Sequence, residues 1–89
     1  MNISEIRKGK AYTDGKDSVR RVLNIKRVHA GSKNPNSEDT VVYEMVSGVP
    51  ADFEDSVGLS PSGFLKFTMK LGDFAEWAKA PVKVMMTDE

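Results

Sequence analysis

The chain has 89 residues, 39% hydrophobic and 29% charged, with 13 Lys/Arg balanced by 13 Asp/Glu. That supplies apolar material for one core and not two, and more than a disordered chain carries, so residues 1–89 are expected to form a single domain. There is no cysteine, which excludes disulfides, thiolate zinc sites and cysteine nucleophiles. The N-terminal "MNISEIRKGK" has no apolar leader core, and no apolar run approaches the ~20 residues of a membrane span. The expectation is a cytoplasmic protein with no membrane partner.

"ISEI" at residues 3–6 reads as a short turn that packs Ile3 and Ile6 against the end of a sheet or barrel. "KAYT" at 10–13 begins a strand, and "DGK" at 14–16 is a turn in which Gly15 supplies a positive φ. "SVRRVLNIKRV" at 18–28 is rich in β-branched residues and forms the second strand. Its alternation slips: Val19, Leu23 and Ile25 share one parity, Val22 and Val28 the other. A bulge or strong bend would reconcile them.

Residues 30–39, "AGSKNPNSED", are loop by composition. "TVVYEMVS" at 40–47 is a third strand with Val41, Tyr43 and Met45 on one face. After the connection 48–63, "FLKFTMKL" at 64–71 alternates Leu65, Phe67, Met69 and Leu71 inward against Lys66, Thr68 and Lys70 outward. "GDFAEWAKAP" then changes period. Asp73 and Glu76 have capping-box spacing, Pro81 is a stop, and Phe74 and Trp77 share a face that plugs the core. "VKVMM" at 82–86 is a last short strand.

The order β-β-β-β-α-β, with local connections, predicts a mainly β domain with one short helix and antiparallel neighbours. A small five-stranded SH3-like barrel is the expected form, and an open α+β sheet with one covering helix is the alternative.

The charge is neutral in total and uneven in place. Residues 1–33 hold nine Lys/Arg against three carboxylates, while residues 34–63 hold six carboxylates and no Lys or Arg. Two neighbouring segments that neutralise each other on one surface account for this more simply than a polyanion grip. Within the basic third, Arg20, Arg21, Lys26 and Arg27 are the nucleic-acid candidates. Strand alternation sends Arg20 and Lys26 to one face and Arg21 and Arg27 to the other. A nucleic-acid groove gathers its cations on one face beside stacking aromatics, and "RRVLNIKRV" has no aromatic residue. Cross-strand and edge charges are the reading preferred for these four.

The lone His29 reads as a surface or capping residue. "ADFED" at 51–55 brings three carboxylates without calcium-loop spacing, and a metal- or carboxylate-dependent accessory enzyme is the weakest of three readings. No nucleophile elbow, phosphate loop or zinc-protease motif occurs, so no catalytic residue, metal site or cofactor is assigned. The connection "GVPADFEDSVGLSPSG" is the candidate binding surface. Val49, Phe53 and Val57 recur every fourth residue, and a helix starting at Pro50 would align them as a stripe flanked by Asp52, Glu54 and Asp55. An apolar anchor rimmed by charge suits a protein partner, and Phe53 folded back onto the barrel as a lid for the core is the alternative. The expected function is a non-enzymatic protein-interaction module, with a nucleic-acid-binding small barrel using segment 7–33 as the alternative.

Taken together, "KGKAY", "RRVLNI", "VVYEM" and "MKLGDFAEWA" resemble a recurrent layout among short bacteriophage and prophage proteins. Those read as small β-barrels ending in a strand and an F-x-x-W-A helix. The resemblance spans most of the chain apart from 48–63, which is longer here than that layout needs. It implies a phage or mobile-element origin and a partner among host or phage proteins. It carries over no catalytic or binding residue.

Overall fold

The computed structural model describes residues 1–31, 33–48 and 56–82. A 3-10 turn at Ile3–Glu5 leads to strands β1 (Ala11–Thr13), β2 (Val19–Lys26), β3 (Thr40–Ser47) and β4 (Lys66–Lys70). Helix α1 (Leu71–Trp77) and strand β5 (Ala80–Val82) follow. The strands form one antiparallel sheet in the order β4-β3-β2-β1-β5.

The sheet is open, which corrects the expected barrel: β4 and β5 are its two edges and do not pair. α1 carries the chain between them. Its Phe74 packs against Tyr12 of β1 and Tyr43 of β3, so the helix covers one face of the sheet.

The helix-facing side of the sheet carries three rows of side chains. Arg20 lies beside Tyr12 and Met45, Val22 beside Tyr43, which neighbours Phe67, and Ile25 beside Val41, which neighbours Met69. A register shift between Val22 and Asn24 leaves Leu23 unpaired. That is the expected bulge, and it returns Ile25 to the same face as Val22. Phe74 sits at the centre of the core and is fully buried. Its ring meets Tyr12 edge-on at 5.8 Å and lies 5.6 Å from Tyr43 and 5.3 Å from Trp77. Trp77 is only partly buried, so the plug is chiefly Phe74, with Leu71, Ala75 and Ala78 around it. Ile6 is buried and Ile3 packs against the same core, as expected of the N-terminal turn.

The helix begins at Leu71, two residues before the expected cap at Asp73, and no side chain caps it. Loop backbone does that work. Asp39 O accepts from Leu71 N at 2.6 Å and Ser37 O from Gly72 N at 3.0 Å, satisfying donors that a helix start otherwise leaves bare. A Cβ on Gly72 would lie 3.0 Å from Ser37 Cβ, so glycine permits this close approach. Asp73 falls in the first turn, where a negative charge complements the helix dipole. The helix ends at Trp77, ahead of Pro81, which lies in edge strand β5 where a missing N–H is tolerated. At that end the α-amino group of Met1 donates to Ala75 O at 2.6 Å and Ala78 O at 3.1 Å. The last expected strand is thus described only to Val82 and starts two residues earlier than read.

Candidate functional site

The four basic residues singled out in the second strand do not converge, and the bulge changes their partition. Arg20 lies on the helix side, whereas Arg21 and Lys26 pair into rows of the opposite face. Arg27 lies just beyond β2. The Arg20 guanidinium stacks 4.1 Å from the Trp77 ring centroid and 4.9 Å from that of Tyr43. Arg21 Nη1 is 2.7 Å from Glu44 Oε2 in the neighbouring strand, with the Glu44 side chain only 1% exposed. Arg27 Nη1 is 3.2 Å from Asp39 Oδ2. Two of the four cations thus neutralise buried acids from the segment 34–63, as the uneven charge pattern led us to expect. Lys26 forms no ion pair with any of the described residues.

Most residues of the expected protein-binding stripe, Val49, Phe53, Asp52, Glu54 and Asp55, lie outside the described residues, as does the expected helix start at Pro50. Val57 is described and is extended. Its N–H donates to Lys66 O at 2.8 Å, and Lys66 N returns a bond to Gly58 O at 2.9 Å. Val57 and Leu59 are exposed beside the β4 edge. Among the described residues no three His, Asp or Glu side chains gather as metal ligands, and no helix is long and apolar enough to cross a membrane. His29 is exposed.

A different group of cations does converge. A cleft of about 590 Å³ opens between the N-terminal turn, the end of β2 and the loop before β3. Its floor is aliphatic, formed by Ile3, Ile6, Ile25 and Leu71. Its rim carries Arg7, Lys8, Arg27 and Lys33, and among the described residues no carboxylate and no aromatic ring lines it. A second depression of about 420 Å³ shares Ser4 and Arg7 with the first and adds Lys10 and Tyr12. Its one acid is Glu5, whose Oε1 accepts from Asn2 N at 2.9 Å. Arg7 is the wall between the two.

Two buried groups hold this arrangement in place. The Tyr12 hydroxyl accepts from Arg7 N at 2.7 Å and donates to Glu5 O at 2.8 Å, fixing the backbone that presents Arg7. Burial pushes the Tyr12 hydroxyl above its ordinary pKa, against the opposing pull of the Arg7 N–H and charge. Asp39, almost wholly buried, ties the far rim. Its carboxylate accepts from Val28 N at 2.8 Å, Asn36 N at 3.0 Å and Arg27 Nη1 at 3.2 Å. Burial alone would raise its pKa, but these donors and the Arg27 charge outweigh that and hold it below the usual carboxylate value.

Sequence reading counted Arg7, Lys8 and Lys33 only as members of the basic segment 7–33, and counted Asp39 only among the acids of 34–63 without its anchoring role. The excess of cations in residues 1–33 was visible. What gathers four of them is the 3-10 turn folding over the end of β2, a tertiary arrangement with no local pattern. Comparison of the chain with protein-family models, with curated proteins and with solved structures gives no match.

Proposed function

We propose that this chain is a protein-interaction module that holds its partner at the basic cleft. The observation that carries this reading is the composition of the cleft: an aliphatic floor inside a rim of four cations, with no acid among the described residues of its lining. An apolar centre with a charged rim is the ordinary make-up of a protein-binding patch. Among the described residues of its lining no His, Asp or Glu stands beside the Ser4 hydroxyl or the lysines to act as a base, and binding is the chemistry this composition supports. The site differs from the acidic stripe anticipated in 48–63, although the kind of function is the one anticipated. A phage or prophage origin, implied by the layout of the motifs, would make the partner a host or phage protein.

The test is affinity capture from a bacterial lysate with and without nuclease, comparing wild type with Arg7→Glu/Lys33→Glu. Both side chains are exposed, and neither forms an ion pair among the described residues, so the variant should melt as wild type does. A protein retained after nuclease treatment and lost by the charge-reversed variant supports the reading. Retention unchanged by the variant refutes it. Loss of all retained protein on nuclease treatment transfers the site to nucleic acid, the second use to which cations of segment 7–33 could be put.

A further inference from the structure

We infer that the ligand of the basic cleft is an extended acidic peptide segment bearing an aliphatic side chain, with Arg7 as its central contact. This rests on the reading of the cleft as a binding site, and it goes on to name the chemistry of the occupant. Three features favour a peptide over a nucleic-acid strand. The floor consists of Ile3, Ile6, Ile25 and Leu71, which accept a branched side chain and give a nucleobase no plane to stack on. Tyr12, the one ring among the described residues lining either depression, is fully buried, and the partly buried Trp77 lines neither. The chain is neutral overall, with 13 cations against 13 anions, so beyond the cleft itself it has no net charge to steer a long phosphate backbone in from a distance.

The peptide form follows from the two depressions sharing Arg7. Lys8, Arg27 and Lys33 line the larger, aliphatic one, and Lys10 lines the smaller one together with Glu5, whose Oε1 is bonded to Asn2 N. A segment with one apolar residue seated on the floor and carboxylates on either side would meet cations in both directions along its length. A planar fork such as the Arg7 guanidinium, placed between them, can hold a carboxylate by two parallel bonds.

The probe is a fluorescein-labelled peptide of alternating Glu and Leu, eight residues long, read by anisotropy at low and moderate salt. Three controls accompany it: the same peptide with Leu replaced by Gly, the same peptide with Glu replaced by Gln, and a labelled oligothymidylate. The parent peptide should bind wild type, and Leu-to-Gly replacement should weaken it about tenfold to a hundredfold, the worth of one buried aliphatic side chain. Arg7→Ala should weaken it about tenfold without moving the melting temperature. Equal binding of the Leu and Gly peptides overturns the aliphatic anchor. Binding of oligothymidylate but not peptide, lost in Arg7→Ala, overturns the peptide inference while leaving the cleft as the binding site. If neither probe binds, or Arg7→Ala and Lys33→Ala leave all binding unchanged, the inference fails together with the cleft reading on which it rests.

Discussion

Removing the Asp39 carboxylate should cost this protein a large part of its stability. In Asp39→Ala, the N–H groups of Val28 and Asn36, in part-buried bonds, lose an acceptor that is itself almost wholly buried. A buried donor left unpaired costs about 1–3 kcal/mol. Arg27 is 39% exposed and can return to water, so it adds little. The two donors together give a loss of about 3 kcal/mol, allowing for some relaxation of the loop. A chain of 89 residues has about 4–13 kcal/mol in total, and each kcal/mol moves the melting temperature of such a domain by about 4–8 °C. The expected fall is therefore about 12–24 °C.

Asp39 also sets an acid limb. Its folded pKa lies below the ordinary value of 3.8, so its contribution is complete above that value and is lost as pH falls through the lower, folded pKa. Urea melts from pH 7 down to pH 2 should show wild type losing stability below about pH 4. Asp39→Asn keeps one acceptor oxygen and no titratable group, so it should start less stable at pH 7 and lose less on acidification. A melting temperature for Asp39→Ala within a few degrees of wild type would refute the anchoring role. An acid limb in Asp39→Asn as steep as that of wild type would refute the electrostatic part.

Phe74→Ala, at the fully buried centre of the core, should cost about 3–5 kcal/mol, and the partly exposed Trp77→Ala distinctly less; denaturant titration that ranks them the other way would contradict the packing described. Gly48 has φ +102°, and a Cβ there would lie 2.8 Å from Ser18 Cα, whereas Gly15 at φ +83° has open space around it. Gly48→Ala should therefore destabilise by more than the ~1–2 kcal/mol of backbone strain expected for Gly15→Ala, again read from urea midpoints. Tyr12→Phe removes the bridge between Arg7 N and Glu5 O and should cost about 1–2 kcal/mol. Because burial holds Tyr12 and Tyr43 above the ordinary tyrosine value of 10.0, wild type should keep its stability up to about pH 10 and lose it above, with Tyr12→Phe losing less over that limb.

How much of this was legible varied with how local the cause is. Val41, Tyr43 and Met45 alternate on a strand covered on one side, so period alone assigns them to the core, where they lie. The parity slip between Val22 and Ile25 was itself informative, since it called for a bulge or a strong bend, and the bulge is at Leu23. Leu71 shows where period stops helping. It continues the inward alternation of β4 and is buried, yet it is the first residue of α1. A strand running straight into a helix keeps the parity at the junction, and the cap that would mark the boundary is supplied by Asp39 O and Ser37 O from more than thirty residues away. Sheet closure was out of reach for a related reason. Whether β4 and β5 meet depends on the tilt and coiling of the whole sheet, and no single strand's sequence records that.

The charge balance of the chain illustrates the same separation between sequence and surface. Thirteen cations and thirteen anions suggest a featureless electrostatic face, but the acids are not spent evenly. Glu44 and Asp39 are buried, each paired with one arginine, and Glu38 is held by Lys70 at 2.8 Å. Carboxylates used in this way neutralise partners next to them and leave Arg7, Lys8 and Lys33 around the cleft without an acid among the described residues of its lining. At physiological ionic strength, exposed charges more than about 8 Å apart are largely screened from one another. What a ligand meets is therefore set by neighbours within that radius, and a protein of zero formal charge can present a cationic cleft.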